Sequence, residues 1–310
     1  MIQARSLTKR YGDVLAVDDL SFDVRPGLVT GFLGPNGAGK STTMRLILGL
    51  DAASGGSVTV NGRPYGQLHQ PLHEVGALLE AKGIHPGRSA RNHLRCLAQA
   101  NLIPSTRIDE VLEIVGLTGV ADKQAGGFSL GMNQRLGIAA ALLGDPGILL
   151  LDEPVNGLDP EGIIWIRTLL RSLAAEGRTI FLSSHLMSEM SMTADRLIVI
   201  GRGKLIADTT VADFIQGSSG NRIRVRSPKA PALAEALEGK GATVEVAPDG
   251  ALIVTGMTCA EVGDRAAARR IAVHELVAET ASLEDAYLEL TQDSVEYHAD
   301  APAQHQEVRS

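Results

Sequence analysis

The chain has 310 residues, 44% hydrophobic and 21% charged, a size for one large domain or two and a balance that excludes wholesale disorder. Aromatic residues make up only 3% and the formal charge is −7, which argues against a stacking platform for single strands and against a general nucleic-acid-coating surface. Residues 1–220 carry 20 basic and 21 acidic side chains and residues 221–310 carry 9 and 15, so the acidity sits in the last third, a first sign of two parts. Cys96 and Cys259 have no zinc-like spacing and suit a reducing cytosol. The start, MIQARSLTKRYG, lacks an apolar signal core, and no charge-free run approaches the ~18–20 residues that span a bilayer. Membrane action would need another chain to do the spanning.

Short β-rich runs alternate with helical patterns to about residue 208, the mark of an α/β domain. VTGFLG (29–34) reads as a buried strand running into a Gly-rich turn, then a helix from Lys40 with Met44, Ile47 and Leu48 on one face. GILLLDEP (147–154), RTIFLSS (178–184) and RLIVI (196–200) read as further buried strands, and Pro160 opens a helix carrying Ile163, Ile166, Leu169, Leu170 and Leu173. Near-continuous aliphatic strands predict a parallel sheet covered on both faces. QGSSGN (216–221) marks a boundary, so that residues 1–217 form one domain. Beyond it, strands at 222–226, 242–246, 251–255 and 273–277 alternate with helices at 231–239, 259–270 and 282–290. The last helix places Leu283, Ala286, Tyr287 and Leu290 on one face. This predicts a small α+β domain over 222–290, followed by a disordered tail at 291–310. His274 falls there as an ordinary strand residue.

GPNGAGKS (34–41) matches G-x-x-x-x-G-K-(S/T) between a strand and a helix. Glycines let successive backbone N–H groups turn onto phosphate oxygens, and the helix N-terminus adds partial positive charge. The binding candidates are Gly34, Pro35, Asn36, Gly37, Ala38, Gly39, Lys40, Ser41 and Thr42. Lys40 suits the β- and γ-phosphates, Ser41 a Mg²⁺ ligand and Thr42 the α-phosphate. ILLLDEP puts Asp152 and Glu153 at a strand end, where α/β sheets bind ligands. Asp152 suits Mg²⁺ and Glu153 a general base acting on water. His185 lies just past a third strand end, placed to hydrogen-bond a γ-phosphate and the attacking water.

In this order the pieces resemble the nucleotide-binding subunit of ATP-binding-cassette (ABC) transporters over about residues 1–217. The resemblance implies a phosphate-loop ATPase fold with a helical signature subdomain, then a small α+β domain. It gives Tyr11 the place of the aromatic that stacks on adenine, FSLGMNQR (128–135) the place of the LSGGQ signature, and NGLD (156–159) that of the D-loop with Asp159. His185 becomes the switch histidine. Leu130 and Met132 depart from the signature, whereas Ser129 and Gly131 are kept, a hydroxyl and a bare backbone at a helix start. VGALLE (75–80) ends in Glu80 where the family usually has glutamine. That change, with FSLGM, resembles the bacitracin- and lantibiotic-type exporters, and the resemblance makes Glu80 a Mg²⁺ ligand facing the membrane subunit.

The implied activity is hydrolysis of ATP with Mg²⁺ to drive export, of drug or antibiotic at branch level, through separate transmembrane permease subunits. The implied assembly is a homodimer on the inner face of the cell membrane, in which Ser129 and Gly131 of one chain complete the other chain's site. The 222–290 domain, ending SLEDAYLELT, resembles an accessory domain of regulatory or dimer-supporting kind. No nucleic-acid partner is expected. The alternative is a soluble cassette ATPase of translation or DNA-repair type. One phosphate loop and no sustained heptads weigh against it. A kinase or GTPase reading leaves FSLGM without a job.

Overall fold

The computed structural model describes residues 1–79, 83–217, 221–239, 242–280 and 282–291. An antiparallel sheet opens the chain: β1 (Ile2–Tyr11), β2 (Val14–Val24) and β4 (Gly55–Val60), in the order β2-β1-β4. Ile2, Ala4 and Leu7 of β1 and Val17, Leu20 and Phe22 of β2 are buried. The register between β1 and β2 shifts three times, and these bulges leave Tyr11 at the exposed end of β1.

β3 (Val29–Leu33), β5 (Val75–Leu78), β6 (Ile148–Leu151), β7 (Thr179–Ser183), β8 (Arg196–Gly201) and β9 (Lys204–Thr210) form the central sheet, in the order β5-β6-β7-β3-β8-β9. All its pairs are parallel except β8 with β9. The aliphatic runs lie inside because the sheet is covered on both faces. On β6, Ile148 and Leu150 enter one core while Leu149 and Leu151 enter the other. On β7, Phe181 joins the first core and Ile180 and Leu182 the second. Phe22, Phe32 and Phe181 meet between the two sheets with ring centroids 4.9–5.9 Å apart, within the range of favourable aromatic packing.

The helices of this part are α1 (Lys40–Ile47), α2 (Pro71–Glu74), α3 (Ala90–Ala100), α4 (Thr106–Ile114), α5 (Leu130–Leu142), α6 (Pro160–Ala175), α7 (Met187–Thr193) and α8 (Val211–Gly217). α3, α4 and α5 pack on one another through Leu94, Ala98, Ile108, Val111, Leu112 and Leu136. Every strand and helix expected from the sequence up to residue 208 is present, with ends moved by a few residues.

After residue 220, β10 (Asn221–Arg226), α9 (Ala230–Leu237), β11 (Thr243–Val246), β12 (Leu252–Thr255), α10 (Cys259–Ala268) and β13 (Glu275–Thr280) form an antiparallel sheet of order β11-β12-β10-β13 with its own core. Ile223, Val225, Leu233, Leu237, Leu252, Val254 and Val262 fill that core. Thr258 and Glu261 close a capping box at the start of α10. β13 starts two residues later than predicted, so His274 precedes the strand and is exposed.

One element departs from the predicted arrangement. α11 (Leu283–Thr291) buries Leu283, Ala286 and Tyr287 in the core of the first domain, not in the core of the second. It packs against α7 and α8, beside a core that includes Met190 and Phe214. Burial pushes the Tyr287 hydroxyl up to about 12. The predicted helical face is correct for these three residues, whereas Leu290 is exposed. The tail from 292 onward lies outside the described residues. Among the described residues no helix is long and apolar enough to cross a membrane.

The candidate nucleotide site

The turn after β3 is tight enough to demand glycine. A Cβ on Gly34 would stand 2.6 Å from the Ile200 carbonyl oxygen, and one on Gly39 2.4 Å from that of Ala16. Gly39 also sits at φ 101°, in the left-handed region that L side chains rarely adopt, and serves as the N-cap of α1. α1 begins with no side-chain cap and no acidic residue in its first turn. The positive end of its dipole is therefore not countered by a carboxylate of its own. Lys40 folds back across the turn and donates to the carbonyl oxygens of Gly34 (2.6 Å) and Pro35 (3.2 Å). Burial pulls its pKa below the ordinary lysine value, and the carboxylates of Glu153 and Asp152 work in the other direction. Ala38 is buried within the turn, whereas Asn36 and Gly37 are exposed at its tip and Thr42, the third residue of α1, is half-buried.

The end of β6 brings both carboxylates to this turn. The Asp152 backbone N–H donates to Leu78 at 2.7 Å, joining the ends of β5 and β6. Its Oδ2 accepts from the Ser41 hydroxyl at 2.8 Å, and its Oδ1 accepts from Ser183 at the end of β7. Glu153 has φ 51°, uncommon for a residue with a side chain. Its N–H donates to Ser183 Oγ (3.0 Å), and its carbonyl accepts from Gln134 Nε2 (3.2 Å). Its carboxylate Oε2 lies 2.7 Å from His185 Nδ1 and accepts from the His185 N–H at 3.3 Å. The structure thus joins Ser41 to Asp152 and Glu153 to His185, with Lys40 within electrostatic reach of both carboxylates.

Tyr11 belongs to a second cluster. Its hydroxyl donates to Asp51 Oδ2 at 2.7 Å, and Arg45 of α1 donates to the same oxygen at 2.8 Å. Hydrogen bonds from Arg45 and then from Tyr11 hold the Asp51 carboxyl down to about 2. The bond to Asp51 in turn raises the Tyr11 hydroxyl above its usual value. Lys9 Nζ lies 4.6 Å from the ring centroid, a cation–π distance.

Ser129 is the N-cap of α5, its hydroxyl accepting from the Met132 N–H at 3.2 Å. Gly131 is pressed on the turn between β6 and α6, where a Cβ would meet the Gly157 carbonyl oxygen at 2.7 Å. Leu130, one of the departures from the signature, lies over Gly157, where an added Cβ would be 2.3 Å from Leu130 Cγ. The larger residue at 130 is accommodated by a missing side chain at 157. Asp159 caps α6, Oδ1 accepting from the Gly162 N–H at 2.9 Å. Glu80 lies outside the described residues.

Reading from the sequence missed Asp51, Gln134 and Ser183. Ser183 lies inside the strand assigned at 178–184, so its position at a strand end was a signal. Gln134 lies within FSLGMNQR, but nothing marked its bond to a backbone carbonyl 19 residues away, and nothing marked the bond of Asp51 to Tyr11, 40 residues away.

A glycine-bounded turn at a bare helix start, an ammonium folded into it and two consecutive carboxylates at the end of β6 suit a polyphosphate tail and its attack by water. The fold and the corner together define a phosphate-loop nucleoside triphosphatase. Residues 17–156 match the ABC transporter family, and residues 221–284 match a domain of unknown function. The bacitracin transport ATP-binding protein BcrA of Bacillus licheniformis is 45% identical over 213 residues, covering 67% of this chain and 69% of that one. An uncharacterized ABC transporter ATP-binding protein, YhcH of Bacillus subtilis (strain 168), is 36% identical over 305 residues, covering 96% and 97%. A solved structure of an ATP-binding subunit of an ABC transporter shares 26% identity at a TM-score of 0.64, covering 70% of this chain and 92% of that one. The chain belongs to the ABC transporter family, as an ATP-binding subunit and ATPase.

Proposed function

We propose that the chain hydrolyses ATP to power export of an antibiotic-like compound through separate permease subunits. The cargo class follows the transport of bacitracin by BcrA proteins of Bacillus licheniformis and Enterococcus faecalis and of lantibiotic by SrtF of Streptococcus pyogenes, all 36–45% identical. Nod factor export proteins, 38% identical over 227 residues, also point outward. The chain would work as a homodimer docked on permeases at the inner face of the membrane. Residues 222–290 would support or regulate that dimer.

The observation that carries this reading is the Glu153 carboxylate 2.7 Å from His185 Nδ1, beside the turn that holds Lys40. Backbone N–H groups of 36–42 and the Lys40 ammonium bind the phosphates, with Gly34 and Pro35 shaping the turn, and Tyr11 supports the base. Glu153 takes the proton of the attacking water, and His185 hydrogen-bonds that carboxylate and orients it. Ser129 and Gly131 of the partner close on the γ-phosphate from the other side, so loss of that phosphate reopens the dimer. Ser41 Oγ and Asp152 Oδ2, hard oxygen donors 2.8 Å apart, suit Mg²⁺, with Glu80 as a further oxygen ligand; among the described residues no group of three metal-binding carboxylates, histidines or cysteines exists. Mg²⁺ supplies neutralisation of phosphate charge when bound.

A Glu153→Gln variant tests the reading. It is expected to bind ATP, lose turnover and elute as an ATP-locked dimer in size-exclusion chromatography. Normal hydrolysis by that variant would remove Glu153 from the role of base.

A further inference from the structure

Glu153 holds a backbone conformation that side-chain-bearing residues avoid unless their surroundings impose it. Two side chains grip the peptide groups on either side. Ser183 Oγ accepts from the N–H at 3.0 Å, and Gln134 Nε2 donates to the carbonyl at 3.2 Å. Ser183 has a second task, since its hydroxyl also donates to Asp152. The Gln134 amide reaches the same backbone from α5, and its residue is only 4% exposed. It stands on a helix whose buried neighbours are Leu136, Gly137, Ile138 and Ala139. An amide in such surroundings is costly unless it is hydrogen-bonded, and a leucine would fill the space without that cost.

We infer that Gln134 is a positioning residue for hydrolysis. Its amide holds the left-handed turn at Glu153 and so aims the carboxylate at His185. The two ends of the clamp are unequal in consequence. Ser183 fixes the start of the turn together with Asp152, whereas Gln134 fixes the carbonyl through which the chain leaves Glu153 toward Pro154. The same carbonyl also accepts from the Asn156 N–H at 3.2 Å, so Gln134 is one of its two grips. Without the amide the peptide is held only from within its own turn, and the carboxylate drifts from the line to His185 while the phosphate turn at 34–41 keeps its own contacts. The loss should therefore fall on turnover and not on nucleotide binding. This inference rests on Glu153 as the base.

The test uses the full-length chain with Gln134→Leu, which keeps the buried volume, and Gln134→Glu, which keeps the shape but loses the donor when ionised. Both are expected to lower kcat about 10- to 100-fold, the scale of a misaimed reacting group, with the KM for ATP and fluorescent-nucleotide affinity within about twofold of the parent on the same scale of reasoning. In a Glu153→Gln background the Gln134→Leu change should add no further loss. A kcat within twofold of the parent would overturn the inference. So would kcat and affinity falling together, or a full additive loss in the Glu153→Gln background. Should Gln134→Leu fail to fold, as read by its thermal melting, Gln134→Glu decides by the same criteria. Normal hydrolysis by Glu153→Gln would remove the base assignment and this inference with it. An inactive Glu153→Gln beside a fully active Gln134→Leu would remove this inference alone.

Discussion

The phosphate corner and the C-terminal module use charge in opposite ways. In the module, Arg224 and Arg226 both reach Asp249, and both also face Glu275, with Arg226 Nε 2.8 Å from its carboxylate. These charges neutralise one another on a solvent-facing sheet, where such pairs are worth little. At the phosphate corner, Asp152 and Glu153 meet hydroxyls and an imidazole, and among the described residues neither has an arginine or lysine ion pair. Acceptor oxygens left without a cation partner of their own are available to a ligand. The corner also holds a side-chain-bearing residue in the left-handed region, at Glu153. Carboxylates without an arginine or lysine ion pair and this backbone conformation coincide where the chemistry is.

This contrast can be broken or sharpened by substitution. Gly157→Ala should have the largest effect on folding. Its Cβ would stand 2.3 Å from Leu130 Cγ at φ 76°, a clash plus backbone strain of about 1–3 kcal/mol. Urea denaturation should show that loss, and adding Leu130→Gly should return the steric part of it. If the double variant is no more stable than the single, the pairing of 130 with 157 is not what admits the divergent signature.

A smaller effect is expected at Tyr11. Tyr11→Phe deletes the hydroxyl bonded to Asp51 and keeps the ring, so the KM for ATP should rise severalfold, the equivalent of about 1 kcal/mol, with kcat unchanged. A fall in kcat at constant KM would place Tyr11 elsewhere in the cycle. The smallest effect should come from the module. Arg226→Ala removes one member of an exposed network, so unfolding free energy should shift by about 1 kcal/mol or less, and ATP turnover should match the parent. A large loss of turnover would mean that the module's charges serve the site after all.

The legible parts of the molecule were those that neighbours in sequence determine. Gly34 to Ser41 are contiguous, and their chemistry follows from eight letters. Asp152 and Glu153 are adjacent at the end of an aliphatic run. The buried strands were equally plain, because a sheet covered on both faces has no polar side to interrupt the run. What stayed hidden is what the fold brings from a distance. Gln134 and Ser183 grip Glu153 from α5 and β7, and no periodicity marks a hydrogen bond to a backbone carbonyl. α11 showed its apolar face at Leu283, Ala286 and Tyr287, but an apolar face does not say which core it enters. Its docking on α7, which begins two residues after His185, needed the coordinates. Leu130 read as a simple departure, and only the contact with Gly157 makes it one half of a matched pair.

The central claim is that one ammonium and the turn around it hold the phosphates of ATP. Lys40→Ala tests it most directly, by titrating a fluorescent ATP analogue against the full-length chain and measuring phosphate release in the same preparation. Affinity should fall at least about tenfold, the cost of losing charge-assisted hydrogen bonds, and turnover should fall with it. Parental affinity and parental turnover in that variant would contradict the account.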